Sequence, residues 1–394
     1  MDRIRGRSGF DVRIAYFTDT YLPNVDGVVT SILNTRSQLE AAGHDVFVFT
    51  AGSNADKKRN ADPNVFFFRS VAFPQYPQYK LALFPYLGAV NAAQKIQPDL
   101  IHSHAITSMG LAARSTAWRL KKPLVGTFHT MVTDATQYIT RNEWVKKSAS
   151  KVLWRGIALY YKGMDAVSAP SNASAQLLQK HGVPDVRVLP NGVDTRRFHP
   201  GLDRTLVRNL LDIQPDESML IVAGRLGYEK NVDIVVRAAK HVLKKRKVRF
   251  VITGEGPSKA YCEQLANELG VRHAFEFEGF VNKKALGHYY AAADGLVSAS
   301  AFETQGLSIL EAMACGTPAI GADALAIPEA IDDNRNGLLF RPYHPGDCAD
   351  KIFELLNSDA KHMAAMRKAA RKKAEQFSLE KTAKKTLALY EELV

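Results

Sequence analysis

The chain has 394 residues, 46% of them hydrophobic, which suits two core-forming domains of ordinary size. No apolar run reaches the roughly 18–20 residues of a membrane-spanning helix, and the charged start MDRIRGRSGFDVR lacks the apolar stretch of a secretory signal. Three cysteines (Cys262, Cys315, Cys348) make no disulfide framework or metal-ligand spacing, and they read as reduced thiols.

The net charge of +12 is unevenly spread. Residues 1–200 carry 25 Lys and Arg against 14 Asp and Glu, whereas residues 201–394 carry 27 against 26. A basic first half implies an anionic partner: nucleic acid, an acidic membrane surface or a phosphate-bearing substrate.

Val12–Thr18 is a strand-like run that ends in the loop Asp19–Gly27. A helix with apolar spacing at Val28, Ile32, Leu33 and Leu39 follows and stops at Gly43, and Asp45–Thr50 is the next strand. Strand, loop, helix and strand within forty residues make a βαβ unit, which requires a parallel sheet. Such sheets hold ligands at the carboxyl ends of their strands, so Asp19, Tyr21 and Gly27 fall at a crevice. The alternation continues with strands at Asp99–His102, Pro123–Phe128, Asp165–Ala169 and Val186–Leu189. His104 and His129 therefore sit just past strand ends, where a structural and a chemical role are both open.

Residues 141–162 differ in character. Trp144, Val152, Trp154, Ile157, Leu159, Tyr160 and Tyr161 alternate with Arg141, Lys146, Lys147, Lys151, Arg155 and Lys162. From Arg114 to Lys162 there are ten basic and two acidic residues. This is the pattern of a helix lying in a membrane interface, the favoured reading, with an amphipathic helix carrying a solvated basic face as the alternative. No nucleic-acid-binding motif accompanies the charge.

The pattern restarts near Phe198-His-Pro200. Ser218–Ala223 is a strand followed by Gly224, Arg225, Lys230 and a helix; Arg249–Thr253 is a strand followed by the Gly254-Glu-Gly-Pro257 loop; Ala274–Phe277 is a strand leading to Val281. The run Gly295–Ser298 precedes AFETQGLSILEAMACG, residues 301–316. Here Glu303 falls in a loop, Gln305–Leu307 at a helix start, and Glu311 inside a mostly apolar helix. A helix start offers unpaired N–H groups and a positive dipole end to an anion. A carboxylate buried on an apolar helix is costly without partners, which a ribose or a salt bridge would supply. Arg225 and Lys230 in one loop suit a diphosphate leaving group. No Asp-X-Asp or other ligand spacing is present, so chemistry without a metal is the expectation. Residues 361–394 are helical and rich in Ala and Lys.

The ordered set VLPNGVDTRRFHP, GRLGYEKN, TGEGP, FEGFV and two glutamates eight apart before AMACGTP resembles the retaining family 4 glycosyltransferases. FTDTYLPNVDGVVTS, GTFHT and ETQGL resemble more narrowly its lipid-directed branch, the diacylglycerol glucosyltransferases and phosphatidylinositol mannosyltransferases. The resemblance implies a GT-B fold: two Rossmann-like domains facing across a deep cleft, with a C-terminal helix crossing back to the first. The expected spans are 1–199 for the acceptor domain, 200–375 for the nucleotide-sugar domain and 376–394 for the returning helix.

The resemblance also implies roles. Arg225 and Lys230 hold the donor diphosphate; Glu303 with Thr304, Gln305, Gly306 and Leu307 holds the hexose and phosphates; Glu311 holds the ribose. Gly224, Gly254 and Val281 border the nucleotide, and Gly27 approaches the phosphates. His129 lies beside the reacting carbon, and Asp19, Tyr21 and His104 join it on the acceptor side. Asp26 stands where many relatives have the first of two glycines. The implied enzyme needs no cofactor or metal and uses UDP-glucose or GDP-mannose as co-substrate. It moves a hexose, with glucose favoured, to a lipid hydroxyl such as that of diacylglycerol. Alternatives are mannosyl transfer to phosphatidylinositol or another glycolipid, transfer to a soluble acceptor, or non-catalytic binding. The expected setting is cytoplasmic, on the inner membrane face, with residues 141–162 against anionic lipid and no nucleic acid bound.

Overall fold

A computed structural model gives the fold; it describes residues 11–24, 26–73, 76–129 and 143–394, with side chains omitted at 73, 76–79 and 143–147. The chain divides into two compact units, residues 1–192 with 380–394, and residues 193–379. The sequence placed these divisions at 199/200 and 375/376. The difference has a local cause: the Val193 N–H donates to the Phe377 carbonyl at 2.8 Å, and the Leu379 N–H to the Val193 carbonyl at 3.2 Å. Both crossing segments are thereby hydrogen-bonded to each other within the second unit.

In the first unit the strands are β1 (Arg13–Thr18), β2 (Asp45–Gly52), β3 (Val65–Phe73), β4 (Tyr76–Ala82), β5 (Leu100–Ser103), β6 (Leu124–Thr127), β7 (Ala166–Ala169) and β8 (Val186–Val188). They form one sheet in the order β4-β3-β2-β1-β5-β6-β7-β8, parallel except for the antiparallel edge pair β3–β4. In the second unit, β9 (Ser218–Ala223), β10 (Val248–Thr253), β11 (Phe275–Gly279), β12 (Gly295–Ser298), β13 (Ala319–Ala322) and β14 (Gly337–Phe340) form a parallel sheet in the order β11-β10-β9-β12-β13-β14. Helices cover both faces of such sheets, so the inner strands are apolar throughout rather than alternating. Five of the six residues of β1 are buried, as are Met219, Leu220, Ile221 and Val222 of β9.

Strands β3, β4 and β14 were not legible in the sequence. The run VFFFRSVAF of β3 has no clean period, β4 is an edge strand, and GLLF of β14 is four residues long. The helical C-terminal stretch is two helices, Ala360–Ala374 and Leu379–Glu391, separated by Glu375–Ser378. The first packs in the second unit, and all but the first residue of the last helix belongs to the first unit.

Tyr390 anchors that last helix. It is fully buried, and its hydroxyl lies 2.6 Å from Nδ1 of His102 on β5 and 3.1 Å from the Tyr16 hydroxyl on β1. His102 Nε2 meets Thr127 Oγ1 at 2.6 Å, and Thr127 Oγ1 meets Ser168 Oγ at 2.6 Å. This polar chain runs through β1, β5, β6 and β7 with its groups satisfied, as buried polar groups must be. Burial, assisted by the nearby His129, pushes the His102 imidazole down to about 3.

Two outcomes follow for stability. Tyr390→Phe leaves His102 and the Tyr16 hydroxyl each short of a partner, so its urea midpoint falls by an equivalent of about 1–3 kcal/mol. The unfolded chain protonates His102 near its ordinary pKa of about 6.5, while the folded chain holds it neutral. Below about pH 6.5 the unfolded state therefore binds more protons, and stability falls steadily with pH down toward about 3. Urea midpoints compared at pH 7 and pH 5 read this directly.

Candidate functional site

Each sheet has one place where the strand order reverses, between β1 and β5 in the first unit and between β9 and β12 in the second. Connections leave in opposite directions on either side of such a point, opening a crevice at the carboxyl ends of the two strands. Of the residues singled out by the sequence, Asp19, Tyr21, Gly27 and His104 follow β1 or β5, and Gly224, Arg225, Lys230 and Glu303 follow β9 or β12; His129 follows β6, Gly254 follows β10, Val281 lies beyond β11, and Glu311 is inside the helix Leu307–Ala314.

In the second unit, β9 runs into Gly224 and Arg225, then into a short 3-10 turn at Tyr228–Lys230. Asn231 closes the turn in a left-handed conformation, φ +49°. Its amide Nδ2 donates to the Ala299 carbonyl at 3.3 Å, joining the loop after β9 to the segment after β12. The same two loops are joined by charge: Lys230 Nζ is hydrogen-bonded to Glu303 Oε1, with both side chains partly accessible. Arg225 is ion-paired with Glu229 four residues on.

Gly254, at the end of β10, has φ +131°, and a Cβ there would lie 1.9 Å from the Gly224 carbonyl oxygen. Only glycine permits this approach. The Gly254 N–H donates to the Gly279 carbonyl at 2.6 Å, tying the end of β10 to that of β11 just past a register shift between Ile252 and Thr253. Val281 packs partly buried against the core just beyond.

Gly306, φ +80°, opens the helix Leu307–Ala314 without a side-chain cap. Gln305 is buried, and Thr304 and Leu307 are partly accessible. Glu311 lies inside the helix, buried, with the Tyr290 hydroxyl donating to Oε2 at 3.1 Å and Lys283 Nζ 3.6 Å from Oε1. Burial raises its pKa, and Lys283 opposes that rise. Glu311 thus has structural partners of its own beside any ligand. Lys283, Tyr290 and Asn231 were missed in the sequence, because no spacing ties them to the glutamates.

In the first unit, Asp19 is 2% exposed, and its Oδ1 accepts from the Met109 N–H at 3.1 Å, within the first turn of the helix Ser108–Leu120. Burial raises its pKa. Tyr21 is also buried; its hydroxyl accepts from Arg36, which pairs in turn with Asp62 and Glu40 at 2.7 Å each. Both residues are held in networks that fix the loop after β1. Asp26 caps the helix Gly27–Ala41 by accepting from the Val29 N–H at 2.8 Å. This accounts for an aspartate in place of a glycine there. Gly27 faces open space: among the described residues, no atom beyond its chain neighbours and its own helix backbone lies within 4 Å of where a Cβ would be.

His104 and His129 are brought together. Nδ1 of His104 lies 2.8 Å from Nε2 of His129, while the other ring nitrogen of His104 is buried with no hydrogen-bond partner among the described residues. Burial pushes His129 down to about 4, and burial with the neighbouring imidazoles pushes His104 down as well. Both rings are therefore neutral at pH 7, able to donate or accept a hydrogen bond but not to supply a positive charge. Among the described residues no three His, Cys, Asp or Glu side chains converge as metal ligands would.

The basic, aromatic segment splits into two faces. On the helix Glu143–Tyr161, Trp154, Ile157, Tyr160 and Tyr161 are buried in a cluster with Phe128 and Leu178, while Val152 and Leu159 are exposed. Arg141 and the side chains of Trp144, Val145, Lys146 and Lys147 lie outside the described residues.

Residues 25–197 match the model for Glycosyltransferase Family 4, and residues 203–373 the model for Glycosyl transferases group 1. An alpha-monoglucosyldiacylglycerol synthase of Streptococcus pneumoniae is 35% identical over 88% of this chain and 78% of its own. A GDP-mannose-dependent alpha-mannosyltransferase of Corynebacterium glutamicum is 26% identical over 89% of this chain and 82% of its own. Among solved structures, Anabaena HepE in complex with UDP and glucose superposes with a TM-score of 0.77 at 19% identity, covering 97% of this chain and 100% of that one. With two parallel-sheet Rossmann-like units and this likeness along the chain, the protein has the GT-B fold and belongs to the family 4 glycosyltransferases.

Proposed function

We propose that the chain transfers glucose from a nucleotide sugar to the hydroxyl of a membrane lipid such as diacylglycerol, with retention and without a metal. The observation that carries the reading is the Lys230–Glu303 pair at the β9/β12 reversal. A lysine beside a carboxylate gives one point that holds a sugar hydroxyl and a phosphate oxygen together. Arg225, in the same loop, adds a second cation. Fixed positive charge aimed at a departing diphosphate stabilises it where charge develops, the task a divalent ion performs in other enzymes. The helix opening at Gly306 adds backbone donors for the phosphates, and Glu311 takes the ribose hydroxyls in exchange for Tyr290 or Lys283.

The first unit supplies the neutral His104–His129 pair at the ends of β5 and β6, suited to a hydroxyl of the sugar or acceptor. The departing phosphate itself takes the acceptor proton, so the site needs no protein nucleophile. Glucose and a diacylglycerol-type acceptor are favoured by the Streptococcus relative's name, and UDP by the ligand of HepE.

The membrane reading rests on exposed apolar side chains that the sequence did not single out. Phe84 is 89% and Trp118 78% exposed. Leu111, Arg114 and Trp118 share one stripe of the helix Ser108–Leu120, and the Arg114 guanidinium reaches the Lys162 carbonyl at 3.1 Å. Exposed aromatics beside Arg and Lys suit the headgroup layer of an anionic membrane. We place the enzyme peripherally on the cytoplasmic face, where nucleotide sugars are made.

A panel of UDP-glucose, UDP-galactose, GDP-mannose and UDP-N-acetylglucosamine against mixed lipid, with mass detection, tests the reaction; product from GDP-mannose alone favours mannosyl transfer instead. Lys230→Ala and Glu303→Ala each lower kcat by roughly 10²–10³ with the unfolding midpoint little changed, and full activity in both refutes the site. The Phe84→Ser, Trp118→Ser double variant loses flotation with anionic vesicles at physiological salt while hydrolysing the donor as before. Unchanged flotation removes these side chains from the membrane contact.

A further inference from the structure

The second unit has an open cavity of about 270 Å³ away from the β9/β12 reversal, at the opposite end of the helix Leu307–Ala314. Arg204, Arg367, Lys368 and Arg371 line it, with Cys315 and Gly316 forming its wall at the helix's end. Arg367, Lys368 and Arg371 come from adjacent turns of the helix Ala360–Ala374, and Arg204 from the start of the short helix Thr205–Leu210.

The charges in and around this cavity do not balance. One carboxylate, Asp294, serves three guanidinium groups: Arg208 at 2.6 Å, and Arg204 and Arg367 at 3.7 Å each. Arg371 pairs with Glu375 and donates to the carbonyls of Ala314, Phe198 and Thr195. Lys368 is exposed and makes no ion pair among the described residues. Five cations thus face two carboxylates. Burial, reinforced by Arg204 and Arg208, pushes the Arg367 guanidinium down to about 10, as an under-neutralised cation requires. Cations crowded into a partly desolvated hollow repel one another, and an anion of charge two removes that cost through charge-assisted hydrogen bonds.

We propose that this cavity is a second anion site, built for a phosphate monoester or inorganic phosphate and separate from the donor site. Arg204, Arg367 and Lys368 make the contacts, while Arg371 frames the pocket. The volume accommodates a phosphate with a short organic substituent. The same chemistry is offered by a free metabolite phosphate or by an exposed lipid phosphomonoester, and the experiment separates these sources.

The test uses the full chain saturated with UDP, so that the donor site is filled. Binding of inorganic phosphate and of glycerol 3-phosphate is followed by calorimetry, and binding of phosphatidic acid by flotation of phosphatidylcholine vesicles with and without it. Arg204→Gln with Lys368→Gln removes two exposed cations and leaves Arg367 and Arg371 in place; an unchanged unfolding midpoint verifies its fold. The expected result is saturable binding of at least one of the three probes, weakened roughly tenfold or more in the double variant and unaltered in Lys230→Ala. Response to the soluble phosphates identifies a metabolite site, and response to the vesicles alone a lipid headgroup site. Absence of saturable binding by all three probes, or equal binding by the double variant, overturns the proposal.

Discussion

A lysine and a glutamate seventy-three residues apart in the chain meet where two strand ends diverge, and much of the second unit serves that meeting. Lys230 rides on a 3-10 turn closed by a left-handed Asn231, and Asn231 reaches across to the Ala299 carbonyl. Glu303 rides on the loop before a helix whose apolar residues are buried in the core. The pairing is electrostatic, but its precision comes from backbone. The close approach of Gly254 to the Gly224 carbonyl fixes the neighbouring strand ends, so the two charged loops leave from a rigid edge.

The first unit follows the same rule with different chemistry. There His104 after β5 meets His129 after β6, and burial keeps both rings neutral. Charge is kept at the loops after β9 and β12 and withheld from the imidazole pair. A cation held among the buried imidazoles would raise the cost of the polar chain linking Tyr16, Tyr390, His102, Thr127 and Ser168, which is satisfied only with neutral partners.

Much of this was legible in the sequence, for physical reasons. Parallel strands buried on both faces leave continuous apolar runs, so β1, β9 and β12 stood out, and the residues just beyond them followed. Edge strands carry a weaker signal, and β3, β4 and β14 were missed. Spacing along a chain says nothing of partners brought in by tertiary packing. Lys283 and Tyr290 beside Glu311 were therefore invisible, as was the capping duty of Asp19 toward the helix at Met109. The aromatic, basic helix was ambiguous because a buried face and a membrane face use the same residues. The fold separates them, sending Trp154, Tyr160 and Tyr161 inward and leaving Val152 and Leu159 outside.

The placement of Tyr390 sets an order on biosynthesis. The last helix completes the core of a unit whose other strands are translated first, and the whole of residues 193–379 is made in between. Until that helix emerges from the ribosome, Tyr16 and His102 lack the hydroxyl that satisfies them, and an apolar groove beside β1 stays open to water. The second unit has all its strands by then and closes its own core first. The second unit thus closes its core ahead of the first, and synthesis halted before residue 380 leaves a nascent protein with a finished second sheet and an unsealed first one.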